Sequence, residues 1–238
     1  MSIGRRGQLN AAFVLHQRPY RDSSRIADLL TAEFGRVTVV ARGIRSRRGG
    51  QGALLQPFRP LLVSWSGRSE MKTLNTVEAS GEPFALTGSV LFSGFYLNEL
   101  LLRLIHKNDP HPELFAVYHA TLERLDQGGN QSRALRIFEK RLLECLGYGL
   151  NLAQTAGDGQ PVDASRHYTY QVECGPQLSV AENAASYAGR SLLSLAGEDL
   201  TDARSLQDAR RLLRHTLDFY LGDKPLKSRK ILYSMRSW

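Results

Sequence analysis

Cysteine and uninterrupted apolar sequence are both scarce in this chain. Cys145 and Cys174 are the two cysteines among 238 residues, too few for the disulfide framework of a small secreted protein. We therefore expect a reducing, cytoplasmic compartment. The most apolar stretch, residues 90–105, is interrupted by Glu99 and Arg103, so the sequence predicts no membrane-spanning helix.

The motifs that support most enzymatic chemistry are also missing from the sequence. It contains neither a P-loop nor a Gly-x-Gly-x-x-Gly turn for a nucleotide. Its six histidines lack a metal-binding spacing, and two cysteines cannot supply a four-thiolate zinc site. Cys145 ends an amphipathic helical pattern and is favoured as a core residue. Cys174 has no obvious base beside it except, weakly, His167, and no role follows for it. We predict no catalytic site, no metal and no cofactor.

Acidic residues are few in the first third of the chain, and this sets where the charge lies. Residues 1–80 contain 13 Lys and Arg but 5 Asp and Glu, whereas residues 81–238 contain 18 of each kind. The whole formal net charge of +8 therefore belongs to the first third. Such asymmetry predicts a polyanion-binding module joined to a neutral body.

The densest basic segment is RGIRSRRGGQG, residues 42–52, with Arg42, Arg45, Arg47 and Arg48 among glycines. The planar guanidinium group and the backbone amides that glycine exposes both suit phosphate oxygens. Because no acidic residue interrupts the segment, phosphate contact is favoured over a loop whose arginines only aid solubility.

Strand patterns fill the first eighty residues. They lie at residues 11–17, 26–33, 36–42, 58–66 and 71–79. In the third pattern β-branched residues alternate with polar ones, which places Arg36, Thr38 and Arg42 on one face and Val37, Val39 and Ala41 on the other. Five short strands in this length favour a small closed barrel, and the OB-fold is the commonest nucleic-acid-binding barrel of that kind.

The periodicity changes from two to 3.6 after Gly81. Helices are predicted at residues 90–105, 113–126, 132–146 and 206–221, and a short one at the end of the chain. Between them, residues 149–176 have the composition of an irregular insertion with a strand-like part at 166–173. The predicted fold class is α+β, with a barrel domain over residues 1–80 and a helical domain over residues 81–238.

Five segments of the sequence are familiar: RPYRDSS at 18–24, FGRVTVVARGIR at 34–45, LQPF at 55–58, LNTVEA at 74–79 and the closing KPLKSR at 224–229. Together they resemble the family of the DNA repair and recombination protein RecO. The likeness extends over essentially the whole chain in the same order. It implies an N-terminal OB-fold followed by a helical body.

The resemblance also implies a function. Members of this family bind single- and double-stranded DNA, anneal complementary strands coated by single-strand-binding protein, and help to load RecA together with RecR, without catalytic turnover. A nucleoid-associated cytoplasmic protein is therefore expected. Many members hold zinc with four cysteines in the insertion, but here residues 149–176 keep only Cys174. We therefore predict no zinc.

Candidate site residues follow from the charge pattern and the resemblance together. An OB barrel binds the nucleic-acid backbone on a basic strand face and its adjoining loops. The residues expected to contact DNA are Arg36, Arg42, Arg45, Arg47 and Arg48, together with Arg18, Arg21 and Lys72. Tyr20, Phe58 and Trp65 are candidates for base stacking, with packing in the barrel an equal alternative for each.

A second site is implied by the acidic, hydrophobic-tipped tail of single-strand-binding protein. Its receptor needs an apolar pocket rimmed by cations. One candidate rim is the stripe Arg133, Arg136 and Lys140; the other is the edge Arg210, Arg211 and Arg214. A solvated helix face is an equal alternative for either rim.

Two other functions stay open at this point. A general RNA- or ribosome-binding OB module would prefer RNA and would not respond to single-strand-binding protein. An unrecognised nucleic-acid enzyme would turn DNA over with a metal ion, although no group of residues in the sequence supports it.

Overall fold

The computed structural model describes residues 8–42 and 51–234. The elements in chain order are β1 (Asn10–Tyr20), β2 (Ser24–Thr31), β3 (Gly35–Ala41), α1 (Gln51–Leu54), β4 (Leu61–Ser66), β5 (Met71–Ala79), α2 (Gly88–Leu104), α3 (Pro112–Asp126), α4 (Gln131–Cys145), β6 (His167–Gln171), β7 (Gly175–Leu178), β8 (Tyr187–Ala188), α5 (Gly189–Ala196), α6 (Ala203–Leu221) and α7 (Lys227–Ser234). They form two compact units. Unit 1 comprises Met1–Gln127 and Leu226–Trp238, and unit 2 comprises Gly128–Pro225.

Unit 1 contains a closed five-stranded barrel with the strand order β1-β2-β3-β5-β4. Neighbouring strands are antiparallel except β3 and β5, which are parallel. This is the arrangement of an OB-fold, and it confirms the predicted fold class. The barrel interior is apolar, and Val37, Val39 and Ala41 all belong to it. The alternation predicted for β3 is therefore confirmed.

Helices α2 and α3 pack against the outer side of β1 and β2. The ring of Phe13 on β1 lies 5.2 Å from that of Tyr118 on α3, edge to face. The Tyr118 hydroxyl donates to Asn98 Oδ1 at 2.6 Å, and Asn98 Nδ2 donates to the Leu15 carbonyl at 3.0 Å. A buried polar chain therefore joins β1, α2 and α3. The boundary predicted near residue 80 lies inside this unit.

Helix α7 belongs to unit 1, and a carboxylate from α2 caps its N-terminus. Glu99 on α2 accepts hydrogen bonds from the backbone N–H groups of Lys227 at 2.9 Å and Ser228 at 2.8 Å. It also accepts one from the Ser228 hydroxyl at 2.6 Å. Leu226, just before the helix, is buried. The closing motif of the sequence is thus a packing and capping motif of unit 1.

Unit 2 consists of α4, α5 and α6 with a three-stranded antiparallel sheet in the order β7-β6-β8. Asn130 caps α4 and Asp202 caps α6 through side-chain oxygens. The sheet extends from residue 167 to 188 and so begins in the predicted insertion and runs past its end. Helix α5, which follows directly, is an element that the periodicity did not predict.

No helix in the described ranges is both long and apolar enough to span a membrane. Within the same ranges, no three His, Cys, Asp or Glu residues lie together as a group that could hold a metal ion. The two thiols are unlinked, with Cys145 half-buried and Cys174 exposed.

Candidate nucleic-acid interface

One end of the barrel gathers several of the predicted DNA-contacting residues. Strands β1 and β2 meet there in a hairpin whose last pair is Tyr20 and Ser24, with Arg21 in the turn. Arg25 on β2 pairs with Ala41, the last residue of β3, and Arg42 follows. Adjacent strands lie about 5 Å apart. The register therefore brings the ends of three strands and their basic residues to one edge.

Three of the arginines predicted to contact DNA lie at the surface of this part of the barrel, and one acidic residue, Asp22, lies in the same turn as Arg21. Arg18, Arg21 and Arg42 are exposed, and none of them forms a salt bridge within residues 8–42 and 51–234. The Arg21 guanidinium lies 5.2 Å from the ring centroid of Tyr20, which is half-buried. A cationic edge with an adjacent aromatic ring is the pairing that single-stranded nucleic acid binds.

The sides of the strands agree with this grouping. Arg18 pairs with Ile26 of β2. Ile26 is the neighbour of Ala27, whose side chain points into the barrel, so Ile26 and Arg18 are on the opposite face. Arg42 follows the interior residue Ala41. Since alternate residues of a strand share a face, Arg18 and Arg42 lie on the outer face of the barrel. The β2–β3 face and the loops after β1 and β4 are where OB-folds bind oligonucleotides.

Sequence reasoning missed two basic residues near these loops. Arg25 is exposed and donates to Gln17 Oε1 at 3.1 Å. Arg68 is exposed in the loop between β4 and β5. The pairing of Arg25 with the end of β3 depends on strand register, which the sequence did not provide. The turn sequence Ser-Gly-Arg-Ser at residues 66–69 lies between the strand patterns at 58–66 and 71–79, and it is the signal from which Arg68 could have been found.

Arg36 is engaged inside unit 1 instead of standing free on the strand face. Its side chain is half-buried and Nη1 donates to the Leu102 carbonyl on α2. Its backbone carbonyl accepts from Asn108 N–H at 2.9 Å. The alternation of β3 is as predicted, but α2 covers this part of the strand. We therefore assign Arg36 to packing and leave it out of the interface.

Phe58 and Trp65 also lie in the interior. Their exposed fractions are 4% and 5%, which leaves no ring face for a base. Trp65 packs edge to face on Phe34 at 5.3 Å, and Phe58 packs on Phe95 at 5.2 Å. Burial thus corrects the stacking expectation for these two residues, and Tyr20 remains as the candidate.

The remaining residues predicted to contact DNA are Lys72 and three arginines of the basic segment. Lys72 is half-buried on β5 and pairs in register with Val39 of β3, two residues before Ala41, and its contact with DNA stays a prediction. Arg45, Arg47 and Arg48 lie outside the described residues, and their assignment to DNA stays a prediction from sequence.

In the basic stripe predicted on α4, two of the three residues are buried and form ion pairs. Arg136 Nη2 lies 2.5 Å from Glu139 Oε1, and both side chains are buried. Lys140 lies 3.0 Å from Glu198 Oε1 and is 7% exposed. Burial tends to raise the Glu198 pKa, but hydrogen bonds and charge from Lys140 and Arg141 lower it below its usual value. Arg133 is exposed, and its Nη2 donates to the Glu198 carbonyl at 2.8 Å.

Of the three arginines predicted as a basic edge on α6, one is bonded within unit 2 and two are exposed. Arg211 is held in the unit, because it donates to the carbonyls of Ala184 and Ser186 and stacks over Tyr187 at 4.6 Å. Arg210 and Arg214 are exposed one turn apart. Arg214 Nε lies 3.6 Å from Asp218.

Comparison with known proteins covers nearly the whole chain. A family model for the N-terminal part of recombination protein O matches residues 8–82, and one for its C-terminal part matches residues 87–230. The DNA repair protein RecO of Alkalilimnicola ehrlichii is 49% identical over 232 residues, 96% of this chain and 92% of that protein. The one of Nitrosococcus oceani is 46% identical over 230 residues, 96% and 94%. The one of Haemophilus influenzae is 44% identical over 224 residues, 94% and 95%. These matches confirm the resemblance found in the sequence.

Proposed function

Since the chain belongs to the RecO family, we propose that it is a non-catalytic recombination mediator that binds single- and double-stranded DNA. In this role it anneals complementary strands coated by single-strand-binding protein and, with RecR, assists the loading of RecA. The observation that carries the proposal is the outer edge of the OB barrel, where Arg18, Arg21 and Arg42 are exposed without acidic partners among the described residues.

The chemistry of this edge suits a sequence-tolerant task. Arginines bind phosphate oxygens through paired N–H donors and read no base identity in doing so. Tyr20 supplies a π-face on which any base can stack. Annealing requires contacts of this kind, because the protein must hold strands of every sequence.

A site for the acidic tail of single-strand-binding protein is proposed on α6. Arg210 and Arg214 are exposed there, whereas Arg136 and Lys140 on α4 are buried in ion pairs. The exposed pair is therefore the better rim for the tail carboxylates. Reversing the charge of both residues, Arg210→Glu with Arg214→Glu, should abolish binding of a tail peptide to the full chain. Unchanged peptide affinity would reject this site.

The mediator function is tested by annealing. Complementary oligonucleotides precoated with single-strand-binding protein are mixed with the protein, and duplex formation is followed. The wild type should accelerate annealing, and the variant Arg18→Gln, Arg21→Gln, Arg42→Gln should lose most of the effect. Arg124→Gln, an exposed arginine on α3, is the control and should retain it.

The alternatives predict other results. Annealing of bare but not of coated strands would reduce the protein to a general basic binder. Tighter binding to RNA than to DNA, without a response to single-strand-binding protein, would favour the RNA-binding function and reject the mediator. Metal-dependent cleavage of the oligonucleotides would contradict the non-catalytic proposal.

A further inference from the structure

Unit 2 contains a basic cavity that the proposed function does not use. It has a volume of about 350 Å³ and is bordered by β6, the start of α5 and the start of α6. Its charged and polar lining residues are Ser165, Arg166, His167, Glu182, Arg190 and Arg204. The other lining residues are two alanines. The cavity is therefore mostly polar, and its lining carries more cationic than anionic side chains.

Arg190 is the lining arginine that forms no salt bridge with a described residue, although its charge interacts at longer range with the Asp202 carboxylate. It is exposed, and its side chain makes no salt bridge or hydrogen bond to any described residue. It is the second residue of α5, where the positive end of the helix dipole disfavours a cation. The Asp202 carboxylate offsets part of this unfavourable interaction, and an anion bound beside Arg190 would offset more of it.

The other two arginines keep donors for a ligand. Arg166 Nε lies 3.6 Å from Asp163 Oδ2, and its side chain is 60% exposed. Arg204 donates through Nη2 to Glu182 at 2.8 Å and through Nε to Asp208 at 3.2 Å. A guanidinium has five N–H donors, so both side chains retain N–H groups for an entering anion.

Glu182 is the acidic residue inside the cavity. Its carboxylate contacts Arg204 and lies 3.5 Å from His167 Nε2. Its side chain is 55% exposed, so it is an exposed counter-ion rather than a buried one. An anion that enters the cavity competes with it for the same donors.

We propose that this cavity binds a backbone phosphate of a DNA strand, with Arg190 and Arg166 as its main donors and Glu182 as the internal competitor. Arginine forks fit phosphate oxygens with two parallel hydrogen bonds. An acidic peptide with apolar anchors suits the cavity poorly, because its lining has no apolar side chain larger than alanine. The proposal rests on the proposed DNA-binding function and adds a DNA contact in unit 2 to the one on the barrel.

The test uses the full chain, a labelled oligothymidylate and a series of salt concentrations. Arg166→Gln with Arg190→Gln should weaken binding about five- to tenfold, as expected for lost charge-assisted hydrogen bonds. The slope of log affinity against log salt should become shallower by about one. Glu182→Gln should tighten binding. Arg124→Gln, which removes an exposed arginine outside this cavity, should stay within about twofold of the wild type.

Three results would overturn the proposal. The first is equal affinity and slope in the Arg166/Arg190 double variant and the Arg124 control while the wild type binds and anneals DNA, which leaves the proposed function intact. The second is displacement of the oligonucleotide by inorganic phosphate at equal phosphate concentration, which would identify a site for free anions. The third is loss of acidic-peptide binding in the double variant with unchanged DNA binding, which would identify a peptide site. A wild type that binds no DNA would reject the proposed function itself.

Discussion

At the scale of single residues, Gly35 shows how closely the barrel and its covering loop approach. It starts β3 with a φ of +63°, and a Cβ placed on it would lie 1.8 Å from the carbonyl oxygen of Asp109. Its own carbonyl accepts a hydrogen bond from the Thr31 hydroxyl at 2.8 Å. The residue therefore needs both the left-handed backbone conformation and the missing side chain.

Gly35→Ala should lower the free energy of unfolding by about 3 kcal/mol or more, because left-handed backbone strain and overpacking add at this site. Gly128→Ala is the matched control: its φ is +73°, but no atom lies within 4 Å of the position that a Cβ would take there. It should cost about 1 kcal/mol from the backbone alone. Urea denaturation measures both, and equal losses would contradict the close contact.

The residue scale also shows the limits of inferring side-chain contacts from sequence. Alternation places Arg36 correctly on the side of β3 away from the barrel core, yet its partner Leu102 is 66 residues away. The same holds for Lys140 and Glu198, which are 58 residues apart. A helical or strand period assigns a face, but it does not reveal which element covers that face.

At the scale of elements, most helices and strands lie close to their predicted ranges, and β5 matches at both ends. Long periodic segments can be predicted from the sequence, because their apolar residues recur at the same spacing over several turns. Helix α5 has eight residues and β8 has two, too short to establish a period. The sequence therefore predicts an irregular insertion with one strand-like part, but it does not predict the three-stranded sheet that begins there.

The polar chain between β1, α2 and α3 predicts a specific cost. Burial raises the pKa of Tyr118 far above its ordinary range, so its hydroxyl remains a donor to Asn98. Tyr118→Phe would leave the Asn98 oxygen without that donor in a buried place and should cost about 1–3 kcal/mol. Tyr148→Phe, at an exposed ring, should be nearly neutral. Denaturation midpoints that shift equally would contradict this account of the chain.

The contact between α2 and α7 should make stability depend on pH. Burial tends to raise the Glu99 pKa, but hydrogen bonds from Ser228 and Lys227 and the charge of Arg103 lower it below its ordinary value. A folded pKa below the unfolded one stabilises the protein above the unfolded value of about 4.3, and this contribution is lost as the pH falls through the folded pKa.

Glu99→Gln should therefore destabilise the protein at pH 7 and less so in acid. The expected loss at neutral pH is about 1–2 kcal/mol, since the amide keeps one acceptor oxygen and lacks the charge. Glu82→Gln, at an exposed residue, serves as the control. Unfolding followed at pH 7 and below pH 4 tests the sign; a loss of equal size at both would contradict the role of the carboxylate.

At the scale of the whole molecule, the charge pattern of the sequence points to the same part of the chain as the proposed nucleic-acid interface. The excess of +8 in the first eighty residues belongs to the part of the chain that folds as an OB barrel, and the order of motifs identifies the family. The compact units are not predictable in this way, because residues 226–234 belong to unit 1 although the segment before them in the chain, residues 128–225, forms unit 2. Such a return depends on contacts between distant segments, which periodicity does not encode.

The central claim is that the end of the barrel formed by the β1–β2 hairpin and the end of β3 binds the DNA backbone. Its most direct test is the salt dependence of single-stranded DNA affinity for the wild type, for the variant Arg18→Gln, Arg21→Gln, Arg42→Gln, and for the control Arg124→Gln. Each lost phosphate contact makes the log–log slope shallower by about 0.7 on a single strand, so the triple variant should lose about two in slope and bind much more weakly. An unchanged slope and affinity in the triple variant would contradict the claim.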